Sequence, residues 1–469
     1  MSLPNFNEQL FQVFHQHVFD SPQACYLHTL DGRWSYTEAN NVIYGVSERI
    51  KSACSAGTTT IILNFKDQKK LLFAFWACTA LQVHVVLMPD HDHNELHYPA
   101  EIGGREAVLL LSDYLTSSAT LDFDIDGVAE SADWQFDGRL AVAVPNIYFF
   151  TSGTTGNAKL IKTTYFQLIN AMASIAEHAM MPYTYRQQVL ISVPLFHSYG
   201  ISAVIEYTQG GSCLLLPKAK DNIAPLQALL DKKVSTTLTA IEGVPYFYKQ
   251  LALLLTRVEL PKIAHIGFGG DTVAPELLQD LYEALGNSSF SVRYGVTEIP
   301  SVIALNFFAS TAVPSPLSLG RVVPLYNVLV NDEQAGMDAA HSFGELIIEC
   351  EVAPKKTIRV ATNDIVERIG DSFLFKGRTT YIKHRGYKIN PVDIESFINK
   401  HDDVRESKVY PHNNTLLADI VTATGALDGI ALKAFLGHHL PSYLIPEAFV
   451  AVAAIDRTRT GKIKRERIT

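Results

Sequence analysis

Residues 148–164 read YFFTSGTTGNAKLIKTT. A short apolar run, Ile147 to Phe150, breaks into Thr151, Ser152, Gly153, Thr154, Thr155 and Gly156, and Lys159 follows soon after. Glycines let backbone N–H groups turn toward an anion, hydroxyls add donors, and a lysine reaches the same oxygens, so the stretch is suited to holding phosphate. A Walker A loop needs G-x-x-x-x-G-K-[ST]; here Asn157 and Ala158 separate Gly156 from Lys159, and that reading fails. A dinucleotide fingerprint, G-x-G-x-x-G, fails as well.

On either side of this loop, short apolar runs alternate with helical patterns. A strand at 59–63, a helix from Asp67 to about Leu81, a strand at 84–87 and the run 107–111 precede it. A helix from Thr164 to about Met181, strands at 188–193 and 213–216, a helix at 223–232, and strands at 236–240 and 263–268 follow. Such alternation predicts a parallel sheet with helices on both faces. Nearer the N-terminus the pattern predicts an amphipathic helix over 5–20, a hairpin of 24–30 with 34–36 turning at Asp31-Gly32, and a helix capped by Thr37. Residues 112–140 are acidic and irregular, and beyond about 300 the chain becomes β-rich.

Composition bounds the function. The 469 residues exceed one hydrophobic core, so two or more domains are expected. A net charge of −9 argues against nucleic-acid binding, which needs a basic surface. The five cysteines are scattered, with neither a disulfide framework nor a zinc spacing, and point to a reducing, cytoplasmic setting. The N-terminus lacks the basic and apolar regions of a signal peptide. The uncharged run Leu71 to Met88 is interrupted by Gln82 and His84, which favours a buried helix and strand over a membrane span. His91-Asp92-His93 with Glu95 and His97 lacks a clean ligand spacing and is set aside, as are His438-His439 and the alternating Asp122, Asp124 and Asp126.

The loop closely resembles the [ST]-[SG]-G-[ST]-T-G-x-x-K signature of the adenylate-forming superfamily, which includes acyl-CoA synthetases, stand-alone adenylation enzymes and luciferases. Further matches follow in the family's order. Arg293 to Ile299, RYGVTEI, resembles Y-G-x-T-E; the resemblance implies Tyr294 and Gly295 near adenine, Thr297 on the α-phosphate and Glu298 holding magnesium. Gly269, Gly270 and Asp271 are counted with the nucleotide-binding residues. Thr362-Asn363-Asp364 resembles T-G-D, implying that Asp364 bonds the ribose hydroxyls; Asn363 replaces glycine and tolerates the same left-handed geometry. Gly377-Arg378 resembles the G-R closing the large domain, with Arg378 at ribose or phosphate. The segment His384 to Glu395 resembles G-x-[KR]-I-x-P-x-E-I-E, implying that Gly386 lines a tunnel for the thiol. The terminus 458–465 implies that Lys462 reaches the substrate carboxylate and phosphate. His197, in PLFHSYG, falls between the implied carboxylate pocket and that tunnel.

Three departures stand out: Leu160 where relatives carry glycine, a shortened segment between Ile348 and Ile358, and Thr380 at a hinge position usually aspartate or lysine. The expected protein is α/β, with a large multi-subdomain N-terminal domain (1–379) of parallel sheets and a β-rich part, and a small mobile α+β domain (380–469). The expected chemistry is ATP- and magnesium-dependent activation of a carboxylic acid to an acyl-adenylate, served by Lys462, Lys159, Thr297 and Glu298. Transfer to the thiol of CoA then gives a thioester, with Gly386 and His197 serving that step. Phe196, His197, Tyr199, Ile241 to Val244, Phe268 to Gly270 and Ile299 would wall an acid pocket, mostly apolar, favouring an aryl or fatty acid; Phe196 to Tyr199 carries no carboxylate for an amino acid's amine. Transfer to a carrier-protein phosphopantetheine, an adenylate-only enzyme, and a non-catalytic nucleotide-binding protein stay open as alternatives.

Overall fold

The computed structural model describes residues 9–55, 57–88, 108–112, 120–121, 140–151, 159–218, 224–256, 260, 263–286, 288–309, 317–332, 341–378, 382–384, 387–389, 391–412, 415–440, 444–457 and 463. The chain divides into two units, residues 1–327 with 349–359, and residues 328–348 with 360–469. The boundary expected at 379–381, with Thr380, lies outside the described residues, as do the His91–His97 and Asp122–Asp126 clusters.

Among the described residues, two sheets lie wholly within the first unit. One has six strands in the order Thr120–Leu121, Val108–Ser112, Thr60–Asn64, His84–Leu87, Asn146–Thr151 and Lys159–Thr164. All neighbours are parallel except the last pair. The apolar strand Thr60–Asn64 is buried along its whole length, as a parallel strand between two neighbours must be. The helix Gln68–Leu81 starts where the Asp67 carboxylate accepts the N–H groups of Lys69 and Lys70, and ends at Gln82 in left-handed geometry (φ 55°). Every residue from Leu71 to Leu81 is buried, so the long apolar run is a core helix leading into a core strand. Among the described residues no helix is long and apolar enough to cross a membrane.

The second sheet has nine strands. From Ser289–Val296 through His265–Phe268, Ala240–Gly243, Gln188–Ile191 and Cys213–Leu215 to Cys25–Thr29 the neighbours are parallel. Antiparallel strands close both edges: Ile299–Ala309 and Arg321–Val322 on one side, Gly32–Ser35 on the other.

Several local readings shift. The helix Tyr36–Ala53 is capped by Ser35, not Thr37: Ser35 and Glu38 form a reciprocal capping box. The strand expected at 236–240 lies at Ala240–Gly243, and Lys232–Ser235 is a helical turn. The polar run before Ala240 does not suit a strand flanked on both sides; AIEG, buried throughout, does. The helix after the phosphate loop runs Tyr165–Glu177 behind a Thr164/Gln167 capping box. Of the N-terminal helix the described part is Gln12–Asp20.

A further four-stranded sheet is ordered Asn327–Asn331, His341–Ala353, Lys356–Ile369, Ser372–Arg378. Its long middle strands are joined by Pro354 and Lys355 alone, with Lys355 at φ 63°. The excursion missing after Ile348 is therefore a tight hairpin. A three-stranded sheet, Val404–His412, Thr415–Thr422 and Ala448–Ala451, packs with the helices Pro391–Ile398 and Gly429–Gly437 around Ile394, Ile398, Leu416, Ile420, Leu432 and Leu436.

Candidate active site

The phosphate loop closes a β-hairpin. Thr151 and Lys159 are cross-strand partners at the ends of Asn146–Thr151 and Lys159–Thr164, and the first of these is parallel to His84–Leu87. The loop therefore leaves the sheet at the carboxyl end of its parallel strands, where open α/β sheets place ligands. Ser152, Gly153, Thr154, Thr155 and Gly156 lie outside the described residues, as do Gly386, Lys462 and the side chains of Thr151, Lys159 and Arg378. Leu160 stands in a strand rather than at the start of a helix, and its side chain packs against the cluster of Ile62, Val86, Met88 and Tyr148.

The nine-stranded sheet brings a second set of candidates to one edge. His197 precedes the helix Ser198–Gln209, reached from the end of Gln188–Ile191. Its N–H donates to the Pro194 carbonyl (3.1 Å), and its ring lies 4.1 Å from that of Phe196. Gly269, Gly270 and Asp271 follow the end of His265–Phe268, and Asp271 is exposed, accepting the Thr272 N–H at 2.8 Å. Tyr294 and Gly295 lie at the end of Ser289–Val296, and Thr297 and Glu298 form the turn into Ile299–Ala309. Glu298 is exposed and Thr297 half-buried, so a carboxylate and a hydroxyl stand at the carboxyl end of a parallel strand, a donor set that suits a hard cation and phosphate oxygens.

Beneath this edge lies a charged cluster. Arg293 (8% exposed), Glu242 (0%) and Glu206 (2%) come from a strand, a neighbouring region of the sheet and the helix Ser198–Gln209. Arg293 donates to Glu206 Oε2 through Nη1 and to Glu242 Oε1 (3.0 Å) through Nη2. The Tyr199 hydroxyl donates to Glu242 Oε2 (2.7 Å) and the Tyr207 hydroxyl to Glu242 Oε1 (2.9 Å). Ser301 Oγ donates to Glu206 Oε1 (2.9 Å), and the Ser301 N–H to Ser202 Oγ (3.1 Å). These bonds hold Ser301 at φ 70°, close behind the Thr297-Glu298 turn. Burial opposes charge on Arg293, yet the two carboxylates outweigh it and hold the guanidinium well above its ordinary value. Burial raises the Glu206 carboxyl, with Arg293 pulling the other way. The wall expected to be apolar at Ile241 to Val244 thus carries a buried carboxylate at its second position.

Sequence reasoning missed this cluster. The available signal was a single charge inside each of three apolar runs, ISAVIEYT (201–208), TAIEGV (239–244) and FSVRYG (290–295).

In the second unit, Asp364 and Arg378 are cross-strand partners on Lys356–Ile369 and Ser372–Arg378. Asp364 is 1% exposed, and its N–H donates to Thr362 Oγ1 (3.1 Å), which itself donates to the Leu346 carbonyl (2.8 Å). Asn363 stands at φ 59°, the left-handed geometry expected where relatives carry glycine.

A family model described as AMP-binding enzyme matches residues 20–351, and one described as AMP-binding enzyme C-terminal domain matches residues 393–462. A mitochondrial medium-chain acyl-CoA ligase of Rattus norvegicus is 25% identical over 67% of this chain and 55% of its own length. Tyrocidine synthase 2 of Brevibacillus parabrevis is 22% identical over 97% of this chain and 13% of its own length. The chain thus spans little over half of the first relative and a small part of the second. The structure of o-succinylbenzoate coenzyme A synthetase (MenE) from Bacillus subtilis, in complex with AMP, matches with a TM-score of 0.75 at 20% identity, over 97% of this chain and 98% of that one, a likeness of fold.

Proposed function

The chain belongs to the AMP-binding enzyme family, and we propose that it activates a carboxylic acid with ATP and magnesium and passes the acyl group to the thiol of CoA. The observation that carries this reading is the run of motifs from Thr151 to Lys462, in the family's order, on a chain whose two parts both match that family. An acid oxygen attacks the α-phosphorus in line, the bond to pyrophosphate breaks, and an acyl-adenylate forms. The thiolate sulfur then attacks the acyl carbon, and AMP leaves.

Within the first step, the loop at 151–159 with Lys159 holds the departing pyrophosphate and Thr297 the α-phosphate. Glu298 holds magnesium, which when bound neutralises phosphate charge. Asp364 and Arg378, paired across two strands, hold the ribose. Lys462 joins the carboxylate to the phosphate. In the second step Gly386 lines the thiol path and His197 borders it, once the domain proposed to begin at residue 380 has turned. The acid carries no α-amine: Glu242, the nearest carboxylate to Tyr199, is already engaged by two tyrosines and an arginine.

A second reading, transfer to a carrier-protein phosphopantetheine, is favoured by the likeness to tyrocidine synthase 2 over nearly the whole chain. Incubation with an acid, ATP, magnesium and either CoA or a phosphopantetheinylated carrier decides between them. The expected result is AMP and acyl-CoA in equal amounts, with little transfer to the carrier. Thioester on the carrier alone would establish the second reading. Adenylate without either thioester would reduce the activity to its first step.

A further inference from the structure

Where the edge hairpin of the nine-stranded sheet meets its neighbour stand two thiols that the proposed chemistry does not use. Cys25 opens the strand Cys25–Thr29, and Cys213 opens the parallel strand Cys213–Leu215, with Leu27 opposite Leu214. In a regular pleat that register would send the two side chains to opposite faces, because Cys25 would share a face with Leu27 and Cys213 would not. The pleat is not regular. Between Cys25 and Leu27 the pairing with Gly32–Ser35 shifts by one residue, a bulge that re-aims the side chains beside it. The Cys25 and Cys213 thiols hydrogen-bond to each other, and the Arg33 guanidinium, from the other strand of the hairpin, donates to the Cys25 sulfur. Alpha carbons one residue out of register on neighbouring strands lie about 6 Å apart, inside the span of a disulfide.

The two thiols differ in access and in charge. Cys25 is half-buried, and Cys213 is 2% exposed. The bond with Cys213, aided by Arg33, outweighs burial and Glu38 and pulls the Cys25 thiol down to about 7. The same bond, together with burial, raises Cys213, so Cys25 takes the charge and Cys213 keeps the proton. Cys54, the other half-buried cysteine, is raised by burial, and Cys78 and Cys350 are buried.

We propose that Cys25 and Cys213 form a peroxide-sensitive redox pair, in which Cys25 attacks and Cys213 resolves. The Cys25 sulfur attacks one oxygen of hydrogen peroxide, the O–O bond breaks, and hydroxide leaves and takes a proton from solvent. Cys25 is oxidised to a sulfenic acid and the peroxide is reduced. The sulfenic acid is neutral, so the charge that held the Cys213 proton is gone. The Cys213 sulfur then attacks the Cys25 sulfur, the S–O bond breaks, and the departing hydroxide takes the Cys213 proton as water. Two thiols and one peroxide become one disulfide and two waters, and a thiol reductant reverses the change. The disulfide fastens the edge hairpin to the parallel part of the sheet.

The test treats the full-length native protein with a small excess of hydrogen peroxide, alkylates it with iodoacetamide and maps its cysteines by mass spectrometry. Wild type should yield a Cys25–Cys213 link that dithiothreitol removes, with Cys54, Cys78 and Cys350 still thiols. Before oxidation Cys25 should alkylate at least about tenfold faster than Cys54. Cys213→Ser should stop at a Cys25 sulfenic acid, trapped with dimedone, and Cys25→Ser should leave Cys213 a thiol. Thermal melting checks that each variant folds, and the wild-type map decides alone where one does not. A wild-type Cys25 sulfenic acid that does not go on to the disulfide, a link that forms only in urea-unfolded protein, or Cys54 reacting before Cys25 would each overturn the proposal.

Discussion

Arg293 faces two carboxylates, Glu206 and Glu242, in a space closed to water. Removing the guanidinium while keeping its bulk leaves both acids buried without a counter-charge. Arg293→Met should therefore destabilise the protein by about 3–5 kcal/mol, measured by urea unfolding near neutral pH. The loss should shrink as pH falls. Burial raises the Glu206 carboxyl in the folded state, so between its ordinary value and the raised one the folded chain binds more protons than the unfolded chain, and stability falls as pH rises through that window. Without Arg293 the window widens, and acidification relieves more of the cost. A deficit that grows on acidification would contradict this account of the cluster. None of it was legible from spacing, because Arg293 lies 87 residues from Glu206 and 51 from Glu242. Asn363 was legible, since its own chemistry decides whether it tolerates a left-handed backbone, and it stands at φ 59°.

Elements defined by short-range chemistry were readable, and those defined by neighbours less so. The helix Tyr36–Ala53 shows both. Ser35 and Glu38 stand at the spacing of a capping box, and the Glu38 carboxyl, lowered by its bonds to the Ser35 N–H and hydroxyl, completes it. Thr37 offers the same hydroxyl two residues later and misleads. Ser35→Ala should lower stability by about 1 kcal/mol and Thr37→Ala by much less, compared by thermal or urea unfolding. Equal losses would show that the cap does not decide where this helix begins. The strand Ala240–Gly243 illustrates the opposite case: AIEG carries a charge, and is a buried strand only because Gln188–Ile191 and His265–Phe268 flank it and Arg293 meets Glu242.

For the whole molecule, the alternation of strands and helices and the order of motifs made the α/β architecture readable, and the family match and the fold of the AMP-bound synthetase agree with it. The residues proposed for the site were named from the motifs, because each motif carries its own chemistry. The buried cluster of Arg293, Glu206 and Glu242 was not, because what fills the space beneath Gly269 depends on how a helix and three strands pack. The central claim is that these parts make an acyl-adenylate from ATP and a carboxylic acid, with Lys462 joining the two reactants. Acid-dependent exchange of labelled pyrophosphate into ATP tests it most directly, in wild type and in Lys462→Ala. The account predicts exchange that requires both an acid and magnesium and that is lost in Lys462→Ala, while the variant still forms thioester from supplied acyl-adenylate. Exchange absent from wild type with every acid offered, or undiminished in Lys462→Ala, would contradict it.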